Sequence, residues 1–252
     1  MDTLRTWVIN LDRAPERLAR VTGQLATLGI PFERLRGVDA RQLTPEQATL
    51  LDVPAYRRKH GKDPVPGELG CYLSHVEAMK QFLTTDAEFA LVLEDDVLLT
   101  DRLPDALRGL MANARHWDMV KLSAVHSGTP QRVLEVAPGQ WLAVMLTRCT
   151  GASAYMVNRR AAQAYVARLL PMHLPFDIVY DLGWEYGLKV RLVTPTPCTH
   201  DDRIASNIAA PRAPQRNFHW TRRLSTYGYR LRVESRRLAY GVSELMRARL
   251  GG

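Results

Sequence analysis

WVINLDRAPERLARVTGQLATLGIPFERL, residues 7–35, holds the order of elements that decides the fold. Trp7-Val8-Ile9-Asn10-Leu11 is a short apolar run of the kind that forms a buried strand. It stops at Asp12, and Pro15 falls where a first helical turn begins, a place that suits proline's fixed φ. Leu18, Val21, Leu25 and Leu28 then recur at helical spacing until Gly29 ends the run. Phe32-Glu33-Arg34-Leu35 gives a second strand, which ends near Gly37-Val38-Asp39. Strand, helix and strand in so short a span make a βαβ unit, which predicts parallel pairing and a right-handed crossover.

Outward from this unit, residues 53–66, VPAYRRKHGKDPVP, are rich in proline and basic residues and read as a mobile loop. A helix is expected over 67–83, with Leu69, Leu73, Val76, Met79 and Leu83 along one face. Residues 88–94 read as a buried strand, 103–116 as a helix and 119–122 as a strand. Residues 131–157 alternate and carry β-branched and aromatic residues, so short antiparallel strands are expected. Residues 159–170 and 177–186 read as helices and 189–193 as a strand. The fold class is α/β, a Rossmann-like mixed sheet flanked by helices, with a basic helical tail.

The chemistry concentrates in ALVLEDDVLL, residues 90–99. Three adjacent carboxylates, Glu94, Asp95 and Asp96, repel one another at the end of an apolar strand. Because a strand alternates its faces, Glu94 and Asp96 share one side and Asp95 opposes them. In open α/β sheets ligands sit beyond the carboxyl ends of strands. Acids there suit a hard divalent cation, although a solvated turn or helix capping by Asp95 or Asp96 fits the local sequence as well. Near the first strand, Asp12, Arg13 and Arg17 crowd a helix N-terminus, which suits an anionic or nucleotide ligand. In GELGCYLSHVEAM, Ser74 and His75 are adjacent and do not face each other on a helix, so they form no catalytic pair. His75 reads as a structural donor.

The chain has 252 residues, 46% of them hydrophobic, enough for one sizeable α/β core. No apolar run reaches the roughly 18 residues that span a bilayer. The first seven residues lack the apolar segment of a signal peptide. Cys71, Cys149 and Cys198 form neither a disulfide framework nor a CxxC pair; they read as packing residues in a reducing cytoplasm. The net charge of +8 points to anionic partners. From Arg212 onward there are ten arginines, no lysine, and only Glu234 and Glu244 as acids.

Four linked motifs resemble glycosyltransferase family 25, the group of lipooligosaccharide and collagen hydroxylysine galactosyltransferases. They are Val8-Ile9-Asn10-Leu11-Asp12-Arg13 with Pro15-Glu16-Arg17, Gly37-Val38-Asp39-Ala40, the run from Gly67 to His75, and Leu91-Val92-Leu93-Glu94-Asp95-Asp96-Val97. Lys121-Leu122, Thr150-Gly151 with Ala154-Tyr155, Pro175 with Asp177, and Ser206 with Ile208 extend the resemblance to about residue 208. The tail does not carry it.

The resemblance implies a GT-A-type domain over 1–211, with a nucleotide-sugar-binding half at 1–125 and an acceptor-binding half at 126–211. It implies an inverting, metal-dependent transfer from a UDP-sugar, most often UDP-galactose, to a lipooligosaccharide or other glycan or glycolipid acceptor. Asn10, Leu11, Arg13, Arg17, Asp39, Ser74 and Lys121 are expected around the donor; a solvated strand end is the other reading of Lys121. Glu94-Asp95-Asp96 takes the place of a DxD motif that binds Mn²⁺ (or Mg²⁺) and through it the diphosphate. Asp96 is the expected direct ligand. Glu94 binds through water or at the ribose. His200, beside Asp201 and Asp202, completes the shell or is an exposed loop residue; the family often carries glutamine there. Inversion needs a general base, for which Asp177 is the candidate and Asp181 the second. A helix cap is the alternative for Asp177.

The tail, 212–252, places Leu224, Tyr227, Leu231, Val242 and Leu245 among arginines. Such a helix lies on an anionic membrane surface, here the inner leaflet, or packs on the body. Nucleic acid is not an expected partner, since no RNA-binding motif accompanies the arginines. Two competing functions remain at this level. Metal-dependent nucleotidyl or phosphoryl transfer also uses clustered carboxylates. A basic membrane or nucleic-acid adaptor would need no donor site.

Overall fold

The computed structural model describes residues 3–200 and 218–250. In chain order the first unit is β1 (Leu4–Asn10), α1 (Pro15–Thr27) and β2 (Glu33–Arg36). Short α2 (Pro45–Thr49), α3 (Val53–His60) and the long α4 (Pro66–Leu83) follow. Then come β3 (Phe89–Glu94), β4 (Val97–Leu99), α5 (Leu103–Ala112) and β5 (Met119–Lys121). The second half contributes β6 (Pro130–Ala137), β7 (Gln140–Met145), β8 (Ala154–Asn158) and α6 (Arg159–Arg168). It closes with α7 (Phe176–Val179), α8 (Gly183–Tyr186), β9 (Val190–Thr194), β10 (Cys198–His200) and α9 (Leu224–Arg249).

Eight strands form one mixed sheet in the order β2-β1-β3-β8-β5-β9-β7-β6. The expected βαβ unit is present: β1 runs parallel to β2 and to β3, with Ile9 opposite both Leu35 and Glu94. Strand β8 is antiparallel to β3 and β5, pairing Ala154 with Leu93 and Tyr155 with Lys121. The two halves divided at residue 125 therefore interlock in one sheet, because β8 is hydrogen-bonded between two first-half strands.

Alternation along the strands feeds two cores. Trp7, Val92 and Tyr155 point to the side of α4 and α6, whereas Val8, Leu91 and Leu93 point to the side of α1 and α5. Each such aliphatic side chain, fully buried, contributes about 1.5–3 kcal/mol. A small antiparallel sheet of β4 and β10 lies beside the main one.

Three segments differ from the sequence reading. Residues 53–60 are not loop but helix α3. Asp52 accepts from the Ala55 amide at 2.9 Å, Pro54 sits in the first turn, and Gly61 ends the helix at φ 80°. These are start and stop signals that the proline-rich composition obscured. Buried Tyr56 then donates to Glu68 Oε2 at 2.7 Å, tying α3 to α4. The helix expected over 177–186 is broken into α7 and α8. The break leaves Asp181 in the interior facing Arg237, a partner far along the chain that no local pattern encodes. Helix 103–116 is α5 followed by a separate 3₁₀ turn at Ala114–His116.

The tail helix α9 packs on the body. Arg237 meets Asp181 at 2.6 Å and Glu244 meets Arg191 at 2.5 Å. The Tyr240 hydroxyl donates to the Leu188 carbonyl at 2.7 Å and accepts from the Val190 amide at 3.0 Å. Asp201, Asp202, Ser206, Ile208 and the boundary at 211–212 lie outside the described residues.

Candidate active site

Strands β1, β3 and β5 deliver Asn10, Glu94 and Lys121 to one end of the sheet, where the ladders stop. Asn10 is buried. Its Nδ2 donates to the Ala14 carbonyl at 2.9 Å and to Asp95 Oδ2 at 2.7 Å, while its Oδ1 accepts from Arg34 Nε at 3.1 Å. Arg17, from the first turns of α1, donates to Asp95 Oδ1 at 3.0 Å. Both oxygens of Asp95 are thus engaged by the β1–α1 connection, and Asp95 is a brace between two strand ends. Strand β3 stops at Glu94, so a turn rather than strand pleating separates Asp95 from Asp96. The separation is incomplete, since Arg17 Nη1 also lies 3.9 Å from Asp96 Oδ2.

Asp96 opens β4. The β4–β10 ladder pairs His200 with Val97 and so brings the imidazole beside Asp96. Asp96 Oδ1 and His200 Nδ1 are 3.6 Å apart, and both atoms are buried without a hydrogen-bond partner. Burial and the neighbouring Glu94 charge push the Asp96 carboxyl up to about 6. Two orphaned donors at this spacing fit one first-row divalent cation at about 2.0–2.2 Å from each. The carboxylate oxygen suits manganese or magnesium, and the imidazole suits zinc.

Glu94 is held from the other side. Its Oε1 lies 3.1 Å from His75 Nε2 and accepts from Cys71 Sγ at 3.6 Å. The other ring nitrogen of His75 lies 3.0 Å from the Tyr155 hydroxyl, and Phe176 stacks on the ring at 4.2 Å, 3° from parallel. Burial acts to raise the Glu94 carboxyl, but the His75 bond and charge outweigh it and leave it below its ordinary value. The reading of His75 as a structural donor matches this geometry. The chain Tyr155–His75–Glu94 was not legible, because Tyr155 is 80 residues from His75. The one local signal was Cys71 and His75 on the same face of α4, four residues apart.

Asp177 lies in the first turn of α7, directly after Phe176. Its Oδ2 accepts from the Gly151 amide at 3.4 Å. It caps no helix, since α7 has no side-chain cap. Burial raises the Asp177 carboxyl, partly offset by Lys121 and the Gly151 amide. Lys121 is fully buried and not a solvated strand end. Its ammonium donates to the Cys149 carbonyl at 2.6 Å and sits 4.7 Å from the centre of the Tyr180 ring.

The remaining candidates divide. Arg13 Nε pairs with Asp39 at 3.2 Å, and Arg41 pairs with Asp39 at 2.6 Å. The Arg41 bond, with help from Arg13, holds the Asp39 carboxyl well below the carboxylate range. Leu11 rests against Gly37 on the same rim. Ser74 points elsewhere: its hydroxyl accepts from the Val38 amide at 2.8 Å and donates to the Gly70 carbonyl at 2.7 Å. It holds the 37–39 turn on α4, where any side chain at Gly70 would meet the Val38 carbonyl at 2.5 Å. Asp181 is withdrawn from the site and closed against Arg237.

Comparison with known proteins identifies the family. The profile of glycosyltransferase family 25 (LPS biosynthesis protein) matches residues 3–180. Procollagen galactosyltransferase 2 of Homo sapiens is 32% identical over 111 residues, 42% of this chain and 18% of that protein. The inactive glycosyltransferase 25 family member 3 of Mus musculus is 26% identical over 189 residues, 69% of this chain and 31% of that protein. The chain thus spans between about a fifth and a third of the length of these relatives. Among solved structures, a glycosyltransferase involved in the glycosylation of the major capsid of PBCV-1 aligns with a TM-score of 0.39 at 10% identity, over 90% of this chain and 99% of that one.

Proposed function

The chain belongs to glycosyltransferase family 25, and from that premise we propose that it is an active inverting transferase moving a sugar, galactose as the first choice, from a UDP-sugar to a glycan or glycolipid acceptor such as a lipooligosaccharide. The observation that carries the reading is the pair of buried, unpartnered atoms Asp96 Oδ1 and His200 Nδ1, 3.6 Å apart at the end of the sheet. A cation bound by this pair, manganese or magnesium, would stabilise the negative charge that builds on the leaving diphosphate.

The protein's own groups supply the rest. Arg13 and Arg17 set positive charge beside the N-terminus of α1, where a diphosphate is favoured. Asn10 and Asp95 fix the β1–α1 connection that aims Arg17. Asp177 takes the proton of the acceptor hydroxyl as it attacks; a carboxyl raised by burial is a stronger base than an exposed one. Glu94, anchored by His75, would contact the ribose or a metal-bound water. The His200 imidazole would make the cation site a mixed nitrogen–oxygen one.

The test is release of UDP from a panel of UDP-sugars, with and without manganese, and with the anomeric form of the product read by NMR. The reading expects metal-stimulated turnover of one donor and inversion at the anomeric carbon. Absence of both UDP binding and turnover in the folded protein would overturn it, and retention of configuration would remove the role given to Asp177.

A further inference from the structure

Helix α9 carries charged residues inward, beside the apolar contacts of Tyr229 and Val233, and apolar residues outward. Its buried positions include Thr226, Arg237 and Glu244, which are polar or charged. Its solvent-facing side is apolar: Leu224, Leu231, Leu238, Val242 and Met246 recur along one stripe, and Leu231 is 72% exposed. Spacings of seven, seven, four and four residues keep them on one face of a helix. Eight of the nine exposed large hydrophobic residues among those described fall between 220 and 250. An isolated exposed leucine needs no explanation, but a stripe along a 26-residue helix, about 39 Å long, does. The inward face gives no reason for it, because there α9 is held to the body by ion pairs, hydrogen bonds and the separate apolar contacts of Tyr229 and Val233.

The borders of the stripe are basic. Arg232, Arg236 and Arg247 line one flank and Arg230 the other, all exposed. Neighbouring α3 adds exposed Arg57 and Arg58, whose carbonyl at position 58 accepts from Thr226 at 3.0 Å. Glu234 is the one acid exposed on α9. Aromatic Trp220 and Tyr227 stand exposed near the N-terminal end of the stripe, a placement typical of residues at a lipid–water boundary. No described helix is long and apolar enough to cross a membrane.

From this arrangement we infer that the outer face of α9 docks on an anionic lipid surface, with the helix lying in the plane of the headgroups. The apolar stripe enters the acyl boundary and the flanking arginines meet anionic headgroups. The buried Arg237–Asp181 and Arg191–Glu244 pairs fix the helix to the body, so the whole protein is held at the surface. The sequence expectation that a tail helix touches membrane is thereby sharpened: Leu238 and Met246 replace half-buried Leu245 in the stripe. The inference does not depend on the transferase reading.

Flotation of the full chain with vesicles tests it. Vesicles of phosphatidylcholine with about a third phosphatidylglycerol should carry the protein upward, and pure phosphatidylcholine should not. Raising the salt should weaken the binding as headgroup attraction is screened. Replacing Leu231→Gln and Leu238→Gln should each weaken it roughly tenfold, the value of an apolar side chain returned to water. UDP-sugar hydrolysis and the unfolding temperature serve as the folding control and should not change. No flotation of the wild type with anionic vesicles would overturn the inference. So would a concentration-dependent dimer in sedimentation that the same two substitutions abolish while vesicle binding is absent, since a second copy would then cover the stripe.

Discussion

The carboxylate of Asp181 meets the guanidinium of Arg237 at 2.6 Å, with both side chains closed to solvent. One residue stands between α7 and α8 and the other in the middle of α9, so this pair locks the C-terminal helix to the segment that carries Asp177. Removing one partner leaves an uncompensated buried charge, which costs about 3–5 kcal/mol. Asp181→Ala and Arg237→Ala should each destabilise the protein by that order in urea unfolding. The double replacement Asp181→Leu with Arg237→Met should recover a large part of the loss. If Asp181→Ala kept full stability but lost transfer, Asp181 would be a catalytic group after all.

The chain from Tyr155 through His75 to Glu94 makes a second prediction. Tyr155→Phe leaves a buried ring nitrogen without its partner, a loss of about 1–3 kcal/mol in stability. His75→Gln frees the Glu94 carboxylate. Donor KM should rise, because Glu94 remains but is no longer aimed at the ribose or metal-bound water. An unchanged donor KM in His75→Gln would reduce this chain to a packing feature.

Asp177 sets the acid side of the pH profile. Burial raises its carboxyl above the ordinary value of 3.8. With manganese saturating, so that Asp96 stays ionised, the acid limb of kcat/KM should therefore lie above that ordinary value, with activity rising as the proton leaves. The linkage to stability has the opposite direction: a carboxyl raised on folding stabilises the protein below 3.8, and that contribution is lost as pH rises through the folded value. Asp177→Asn should remove the limb and the lost increment together while donor hydrolysis persists. A limb that stays in place in the variant would move the base role to another group.

His60, at the C-terminus of α3, gives a pH effect remote from chemistry. Burial, reinforced by Lys62 and Arg230, lowers its imidazole from 6.5 to about 3. A base depressed on folding stabilises the protein above 6.5, and this contribution is lost as pH falls toward 3. The unfolding temperature of the wild type should fall over that window, and His60→Gln should flatten the fall. An unaltered slope in the variant would contradict the burial argument.

How far the sequence disclosed these features depends on distance along the chain. The βαβ unit at 7–35 was legible because hydrophobic spacing, proline and glycine act locally. The acidic triplet was legible as a cluster, yet its division of labour was not. Asp95 is claimed by Asn10 and Arg17, 85 and 78 residues away. Position 53–60 misled because proline and lysine mask a helix whose cap, Asp52, lies one residue outside the segment. The tail pattern exposed the apolar residues, but the charged residues on its inward face could be placed only with the partners Asp181 and Arg191 in view.

The account rests most heavily on Asp96 and His200 as donors to one cation. Isothermal titration of UDP into the full chain, with and without manganese, measures this directly. The account predicts that manganese tightens UDP binding at least about tenfold, 1.4 kcal/mol, in the wild type. The enhancement should vanish in Asp96→Ala and shrink in His200→Ala, with both variants folded. Equal enhancement by manganese in the wild type and in Asp96→Ala would contradict it.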